Sequence, residues 1–364
     1  MRSRAARRKA EQSALPAVPA IEFRAPFPHH PPLLMSNSQK TPDEIPADRS
    51  ASRRRTPVEY AGLVARGFCM GAADVVPGVS GGTMAFILGI YEELIESIRE
   101  FGQPRFLHAL ARFRIREVFS IINWKFLLSV LGGIGLAVLT LARLLEWLLH
   151  NRPTMVWSFF FGLVLASVVA VARRVDRWRL SLWIALILGT VFAYVLVGLV
   201  PLQTPDAWWF LFLSGAVAIC AMILPGISGA FILVLLGKYQ YVLNAVNRRD
   251  ILDLVWVALG AGLGIIAFSQ VLGWLFRRFH NVTVAVLTGL MLGSLRKVWP
   301  WKVDVEFMIG RHGERIPTVQ RNILPDAFTG DVAIAIGLAV IGLLLVLLLD
   351  WWADRLDPEM RPGS

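Results

Sequence analysis

Long apolar runs alternate with short polar connectors along the chain, and the runs are of two kinds. The stretches at about 126–149, 154–172, 181–200, 252–276, 282–298 and 331–352 read as simple membrane spans. Each is near the ~20 residues that cross a hydrocarbon core as a helix. Two others, 58–98 and about 207–246, are too long for one crossing. A straight helix over 58–98 would be ~60 Å long at ~1.5 Å per residue, about twice the ~30 Å core. Each is interrupted near its middle by a Pro-Gly pair, Pro77-Gly78 and Pro225-Gly226. Proline removes a backbone donor and glycine permits left-handed dihedrals, so the helix is expected to stop there. In hydrocarbon, such a break survives only where it is buried in protein or lines a cavity. The pattern therefore predicts a re-entrant hairpin over 58–98, turning at Pro77-Gly78. Its second arm ends at the water interface in Glu92, Glu93, Glu96 and Arg99.

The two interrupted runs share a phrase. Pro77-Gly78-Val79-Ser80-Gly81-Gly82-Thr83 recurs as Pro225-Gly226-Ile227-Ser228-Gly229-Ala230, an offset of 148 residues (225 − 77). The offset holds without a gap from Gly67/Gly215 through Ala73/Ala221 and Gly89/Gly237 to Tyr91/Tyr239. A second echo pairs Gly162-Leu163-Val164-Leu165-Ala166-Ser167 with Gly289-Leu290-Met291-Leu292-Gly293-Ser294, at an offset of 127. The short turn Asn247-Arg248-Arg249-Asp250 in place of the long 99–125 connector accounts for the lost 21 residues (148 − 127). Self-similarity at a fixed offset implies an internal structural repeat. The predicted fold is an all-α polytopic membrane protein of two inverted repeats, each a re-entrant broken helix followed by three transmembrane helices. Its parts are a disordered basic cytoplasmic tail (1–56), a first membrane repeat (57–206), a second (207–354) and a short C-terminal tail (355–364). Three crossings between the broken runs, an odd number, are what invert the second repeat.

Composition agrees with membrane residence. Of 364 residues 55% are hydrophobic, and the mean hydropathy is +0.57; a soluble core does not need so much apolar sequence. The formal charge of +11 sits mostly in the tail and connectors. Such a balance can serve nucleic acid, but basic loops facing anionic membrane lipids explain it here, and no nucleic-acid partner is expected. Residues 1–56 are rich in Arg, Pro, Ser and Ala and hold no apolar run of signal-peptide length. The 99–125 connector alternates Phe106, Leu107, Leu110, Phe113, Val118, Phe119 and Ile122 with Arg105, Arg112, Arg114 and Arg116, as a helix lying on anionic headgroups would. An N-in, C-in arrangement in a bacterial cytoplasmic membrane puts 99–125 and 173–179, both basic, on the positive side. Connector 300–330 runs against that rule, falling outside with Lys302, Arg311, Arg315 and Arg321.

The phrase from Gly71 to Thr83, with Gly89-Ile90-Tyr91-Glu92, resembles the signature of the domain-of-unknown-function 368 membrane family. Pro225-Gly226-Ile227-Ser228-Gly229 and Phe160-Phe161-Gly162-Leu163-Val164-Leu165-Ala166-Ser167 match its other recurrent stretches, and the likeness covers about 58–352. It implies a transporter of polyprenyl phosphate, returning undecaprenyl phosphate, the lipid carrier of envelope synthesis, to the cytoplasmic leaflet. The basic tail lies outside that pattern.

A phosphate head crossing hydrocarbon needs protein groups in place of its water. Backbone N–H groups at helix starts, aided by the helix dipole, are suited to this. Ser80, Gly81, Gly82 and Thr83 begin one arm, and Ser228 and Gly229 begin the other; small residues let an anion approach, and the hydroxyls add donors. The plainer reading is that they only cap buried helix ends. Arg66 and Asp74 are ionisable residues inside an apolar run, which are functional candidates by default. The repeat counterpart of Asp74 is Met222, an asymmetry that fits proton or cation coupling; a buried, hydrogen-bonded structural acid is the competing reading. Arg66 is either a phosphate contact or a side chain snorkelling to the interface.

Two other classes use similar parts. A lipid-phosphate enzyme needs a nucleophile beside a base, or clustered acids on a metal. Here His108, His150, His280 and His312 are scattered, and no paired-acid motif stands near the serines. A small-anion permease or channel uses the same helix ends. No cofactor and no metal site is expected, and Cys69 and Cys220 read as packing residues.

Overall fold

The computed structural model describes residues 55–76, 79–175, 177–309 and 315–356. The tail at 1–54, the pair Pro77 and Gly78, and the last eight residues therefore lie outside the described residues. The protein is mostly helical. The first interrupted run becomes α1 (Pro57–Val75), α2 (Gly81–Ile87) and α3 (Tyr91–Arg99). Thr56 and Glu59 form a capping box at the start of α1, with Pro57 at its first position, which fixes where that helix begins. The 99–125 connector folds as α4 (Pro104–Ala111) and α5 (Ile115–Ile121). Next come α6 (Trp124–Asn151), α7 (Pro153–Ala172) and α8 (Leu180–Leu196). The second interrupted run gives α9 (Trp208–Ile223), α10 (Gly229–Leu235) and α11 (Tyr239–Arg248). The chain closes with α12 (Ile251–Ser294), strands β1 (Lys302–Ile309) and β2 (Arg315–Asn322), and α13 (Gly330–Leu356).

Two expectations change. The strands form an antiparallel hairpin, pairing Lys302 with Asn322 and Ile309 with Arg315, so the fold is not purely α. The spans expected at 252–276 and 282–298 are run together in α12, which is kinked at Phe279 (φ −138°, ψ 46°) and ends at Ser294, short of the expected boundary. Among the described residues, four helices are long and apolar enough to cross a membrane, or five if the bent pair α10–α11 counts as one span. The protein is accordingly a multi-pass membrane protein.

Elements recur at the offsets read from the sequence. Gly81 and Gly229 start α2 and α10, Ile87 and Leu235 end them, and Tyr91 and Tyr239 start the next helices, each pair 148 apart. Gly89 and Gly237, at the turns between them, both take positive φ (72° and 66°), where a side chain would be strained. Arg152, between α6 and α7, has φ −140° and ψ 51°, nearly the dihedrals of Phe279, 127 residues later. Glycines set the packing of the long helices. A side chain at Gly67 would strike the Val130 backbone of α6, and one at Gly133 would strike Val64 of α1. Their counterparts Gly215 and Gly260 seat α9 against α12 in the same way. In hydrocarbon, small residues that allow backbones to approach are a main source of helix association. Helix α7 packs on α13, and α8 packs on the second part of α12.

Candidate functional site

The breaks of the two interrupted runs meet. Helix α9 stops at Ile223, and the carbonyls that close a helix have no partner within it. Side chains of the first run supply donors. Ser80 Oγ lies 3.2 Å from both the Met222 and the Leu224 carbonyl oxygens. Tyr91 donates its hydroxyl to the Ile223 carbonyl at 3.2 Å. In return, Gly226 N–H donates to Thr83 Oγ1 at 2.9 Å. Gly226 sits at φ +89°, and a Cβ there would press on Met291 and Ser294, so both conformation and space call for glycine.

Within the first run the start of α2 is capped twice. Ser80 Oγ accepts from Gly82 N–H at 3.1 Å, the usual N-cap geometry. Asp74, at the end of α1, turns its carboxylate onto Gly81 N–H at 2.6 Å. A Cβ on Gly81 would collide with that carboxylate, and one on Gly82 with the Ile223 carbonyl. Ser80 and Thr83 are 1% and 0% exposed, so these bonds form away from water. At the far end of α2, Arg174 donates to the Ile87 carbonyl at 3.3 Å and lies over the Phe86 ring, supplying positive charge where the helix dipole is negative.

The structure thus brings together Asp74, Ser80, Gly81, Gly82, Thr83, Pro225 and Gly226, while Pro77 and Gly78 lie outside the described residues. Ser228 precedes α10 as its counterpart Ser80 precedes α2, but its side chain makes no capping bond and is half-buried. Gly229 is buried close to the Ala218 carbonyl. Arg66 is exposed, and among the described residues no hydrogen bond joins it to the junction. No group of three or more His, Cys, Asp or Glu side chains is placed to hold a metal ion, again among the described residues.

Sequence reasoning missed Tyr91, Arg174 and Lys238 as contributors. Lys238 is 1% exposed, donates to the Thr204 carbonyl at 2.9 Å and pairs with Asp206. Its signal was available: at the 148 offset Lys238 stands where the first half has the buried Ile90. A charge replacing an apolar side chain between matched positions is the same asymmetry that singled out Asp74.

Chemically, the junction is a dry cluster of small residues in which a carboxylate already occupies a backbone donor that an anion would seek. The outlying elements sort to two ends. Glu92, Glu96 and Arg99 meet His280, Arg277 and Gln270 in the middle of α12. The start of α12 instead meets α11 through Tyr241 and Asp253.

A family model described as undecaprenyl phosphate translocase-like matches residues 70–316. The chain is 44% identical over 304 residues to a polyprenyl-phosphate transporter of Vibrio cholerae, covering 82% of this chain and 98% of that protein. It is 30% identical over 278 residues to a polyprenyl-phosphate transporter of Staphylococcus aureus, covering 68% of this chain and 92% of that one. No solved structure matches.

Proposed function

The chain belongs to the undecaprenyl phosphate translocase-like family, and we propose that it moves a polyprenyl phosphate between the leaflets of a bacterial cytoplasmic membrane, recycling the lipid carrier of envelope synthesis. The observation that carries this reading is the Asp74 carboxylate on Gly81 N–H, at the junction where the two interrupted runs meet. A phosphate monoester entering there competes for the same donors, Gly81 and Gly82 N–H, with Ser80 and Thr83 beside them and Ser228 and Gly229 across the junction. Asp74 must leave Gly81 to admit it. A proton or cation taken up by Asp74 neutralises the carboxylate and loosens that bond, which couples headgroup entry to an ion. The bilayer cannot offer these donors, and fixed dipoles replace lost water at little reorganisation cost.

In this reading the two halves are inverted repeats, the tail and C-terminus face the cytoplasm, and the interrupted runs enter from opposite faces. Arg55 holds Glu93 through both terminal guanidinium nitrogens (2.8 and 2.6 Å), which supports a run that begins and turns back at one level. Thr204 donates to the Leu236 carbonyl, tying the approach to α9 to the turn after α10. Leu107 and Leu110 on α4, Phe113 in the turn after it and Phe119 on α5 are exposed, as expected of helices resting on anionic lipid.

The test is reconstitution of the full chain in liposomes, following leaflet transfer of polyprenyl phosphate, release of phosphate and flux of inorganic anions in parallel. Transfer without phosphate release or anion flux is expected. Phosphate release in proportion to protein would make the protein an enzyme, and anion flux without lipid transfer would make it a permease.

A further inference from the structure

A cavity of about 1040 Å³ opens on the side of α10. Its walls are the start of α7, the 199–206 connector, the exposed side of α10 and the base of the β-hairpin. Three lysines line it, and they are not alike. Lys238 is neutralised by Asp206. Lys302 Nζ lies 3.7 Å from the centre of the Trp157 ring and donates to the Lys297 carbonyl. Lys297 Nζ lies 4.9 Å from the centre of the Phe231 ring. Among the described residues no carboxylate lies within ion-pair distance of Lys297 or Lys302. An ammonium has three N–H donors, and a ring face attracts the charge without accepting those hydrogens in the way an oxygen does. Two cations on aromatic walls in one roomy cavity therefore lack an anion with several acceptor oxygens.

We propose that this cavity is a capture site for a phosphate monoester on an apolar chain, with Lys297 and Lys302 holding the headgroup and the α10 wall, through Phe231 and Val234, taking the first part of the chain. The proposal rests on the transport reading above and extends it by naming where the substrate first docks. Two observations fix the chemistry. The wall is apolar on the α10 side, where Ala230, Phe231 and Val234 face the cavity, which a free inorganic ion does not need. The cavity also reaches residue 230, directly after Ser228 and Gly229, so a headgroup held here stands at the entrance to the second break. At the 148 offset Phe231 replaces Thr83. The first half uses that position to lock the junction, and the second half uses it to line the cavity.

Burial pushes the Lys302 ammonium down to about 7, with the neighbouring Lys297 adding to the shift and Asp304 opposing it. His150, Tyr239 and the Lys238–Asp206 pair complete the charged or titratable groups facing the cavity. A phosphate monoester gains its second charge near pH ~6. Capture is therefore strongest at pH ~6–7 and weakens by up to about tenfold per unit above that, as Lys302 loses its proton.

The experiment is calorimetric titration of the full chain, in nanodiscs of zwitterionic lipid, with farnesyl phosphate, farnesol and inorganic phosphate as separate probes. Lys297 and Lys302 line the cavity and not the junction, so their substitution reads the cavity. We expect farnesyl phosphate to bind at least about tenfold more tightly than either other probe, and Lys297→Gln with Lys302→Gln to weaken it at least about tenfold, on the scale of ~1.4 kcal/mol per decade. The paired Lys→Arg variants should stay within about threefold. If the glutamine variant does not fold, Ala230→Trp, which fills the cavity from the opposite wall, must produce the same loss. Wild-type affinity in the folded glutamine variant, or inorganic phosphate binding as tightly as farnesyl phosphate, overturns the proposal. Wild-type protein that binds farnesyl phosphate through both lysines but transfers no polyprenyl phosphate would keep the cavity assignment and sink the transport reading instead.

Discussion

Ser80 uses its hydroxyl in two directions, accepting from Gly82 N–H and facing the Met222 and Leu224 carbonyls at the end of α9. Ser228, at the matching position, makes no capping bond. The two alanine substitutions should therefore separate structure from binding. Ser80→Ala leaves buried polar groups without a partner, which costs ~1–3 kcal/mol of stability. It should also weaken lipid-phosphate binding by about tenfold. Ser228→Ala should leave stability within about 0.5 kcal/mol, the usual range for a site without such a feature, while weakening binding similarly. Chemical unfolding in detergent and titration in nanodiscs read the two effects; equal binding by wild type and both variants would make the turns purely structural. Asp74→Asn tests coupling. The Asn carbonyl oxygen still accepts from Gly81 N–H, so the variant should fold and insert, but it has no carboxylate to carry a proton or meet a cation. Net transport should be abolished, and wild-type rates at every imposed pH gradient would exclude the role.

At the scale of elements, much was legible because the repeat constrains backbone as well as sequence. The small residues after each Pro-Gly pair foretold where α2 and α10 begin, and Gly89 and Gly237, read only as matched positions of the repeat, stand at two turns with positive φ. The contacts between the halves were not legible. Ser80 with Met222 and Thr83 with Gly226 join residues 142 and 143 apart, and no local period encodes such pairs. The β-hairpin was legible but misread. Val303, Val305 and Phe307 alternate with Asp304 and Glu306 ahead of Gly310 and Gly313, a period of two followed by turn residues. Lys302, Arg311, Arg315 and Arg321 give the same stretch the composition of a polar connector. The break itself gives a test at this scale. Gly226→Ala places a side chain at φ +89° and against Met291, so it should destabilise by ~1–2 kcal/mol from the backbone alone, and by more from the clash. Gly62→Ala, in open space on α1, should lose nothing. Single cysteines at 58 and 98 should label from one side of the membrane and cysteines at 204 and 248 from the other; ends of 58–98 on opposite sides would refute the inverted-repeat reading.

Across the whole molecule, charge placement links the loops to the cavity. Lys302 counted against the N-in, C-in arrangement when read only as a loop charge, yet it is half-buried over Trp157 at the base of the hairpin. A lysine fixed in a ligand cavity answers to the ligand rather than to loop topology, so that objection loses part of its force. Its protonation also ties the stability of the molecule to pH. Burial lowers Lys302 from an ordinary value of 10.5 to about 7, so between those limits the unfolded chain holds a proton that the folded protein has lost. Unfolding free energy therefore rises with pH across that window, and the benefit is lost as pH falls back through about 7. In the absence of lipid phosphate, stability in mild detergent should increase from pH 7 towards pH 10, and Lys302→Gln should remove that part of the slope. A bound phosphate monoester favours the charged ammonium and raises its pKa, so farnesyl phosphate should both stabilise the protein at pH 7 and flatten the rise above it. A slope unchanged by Lys302→Gln would assign the pH response to another group. A slope removed by the substitution but untouched by ligand would show that the lysine is buried as described and that the headgroup docks elsewhere.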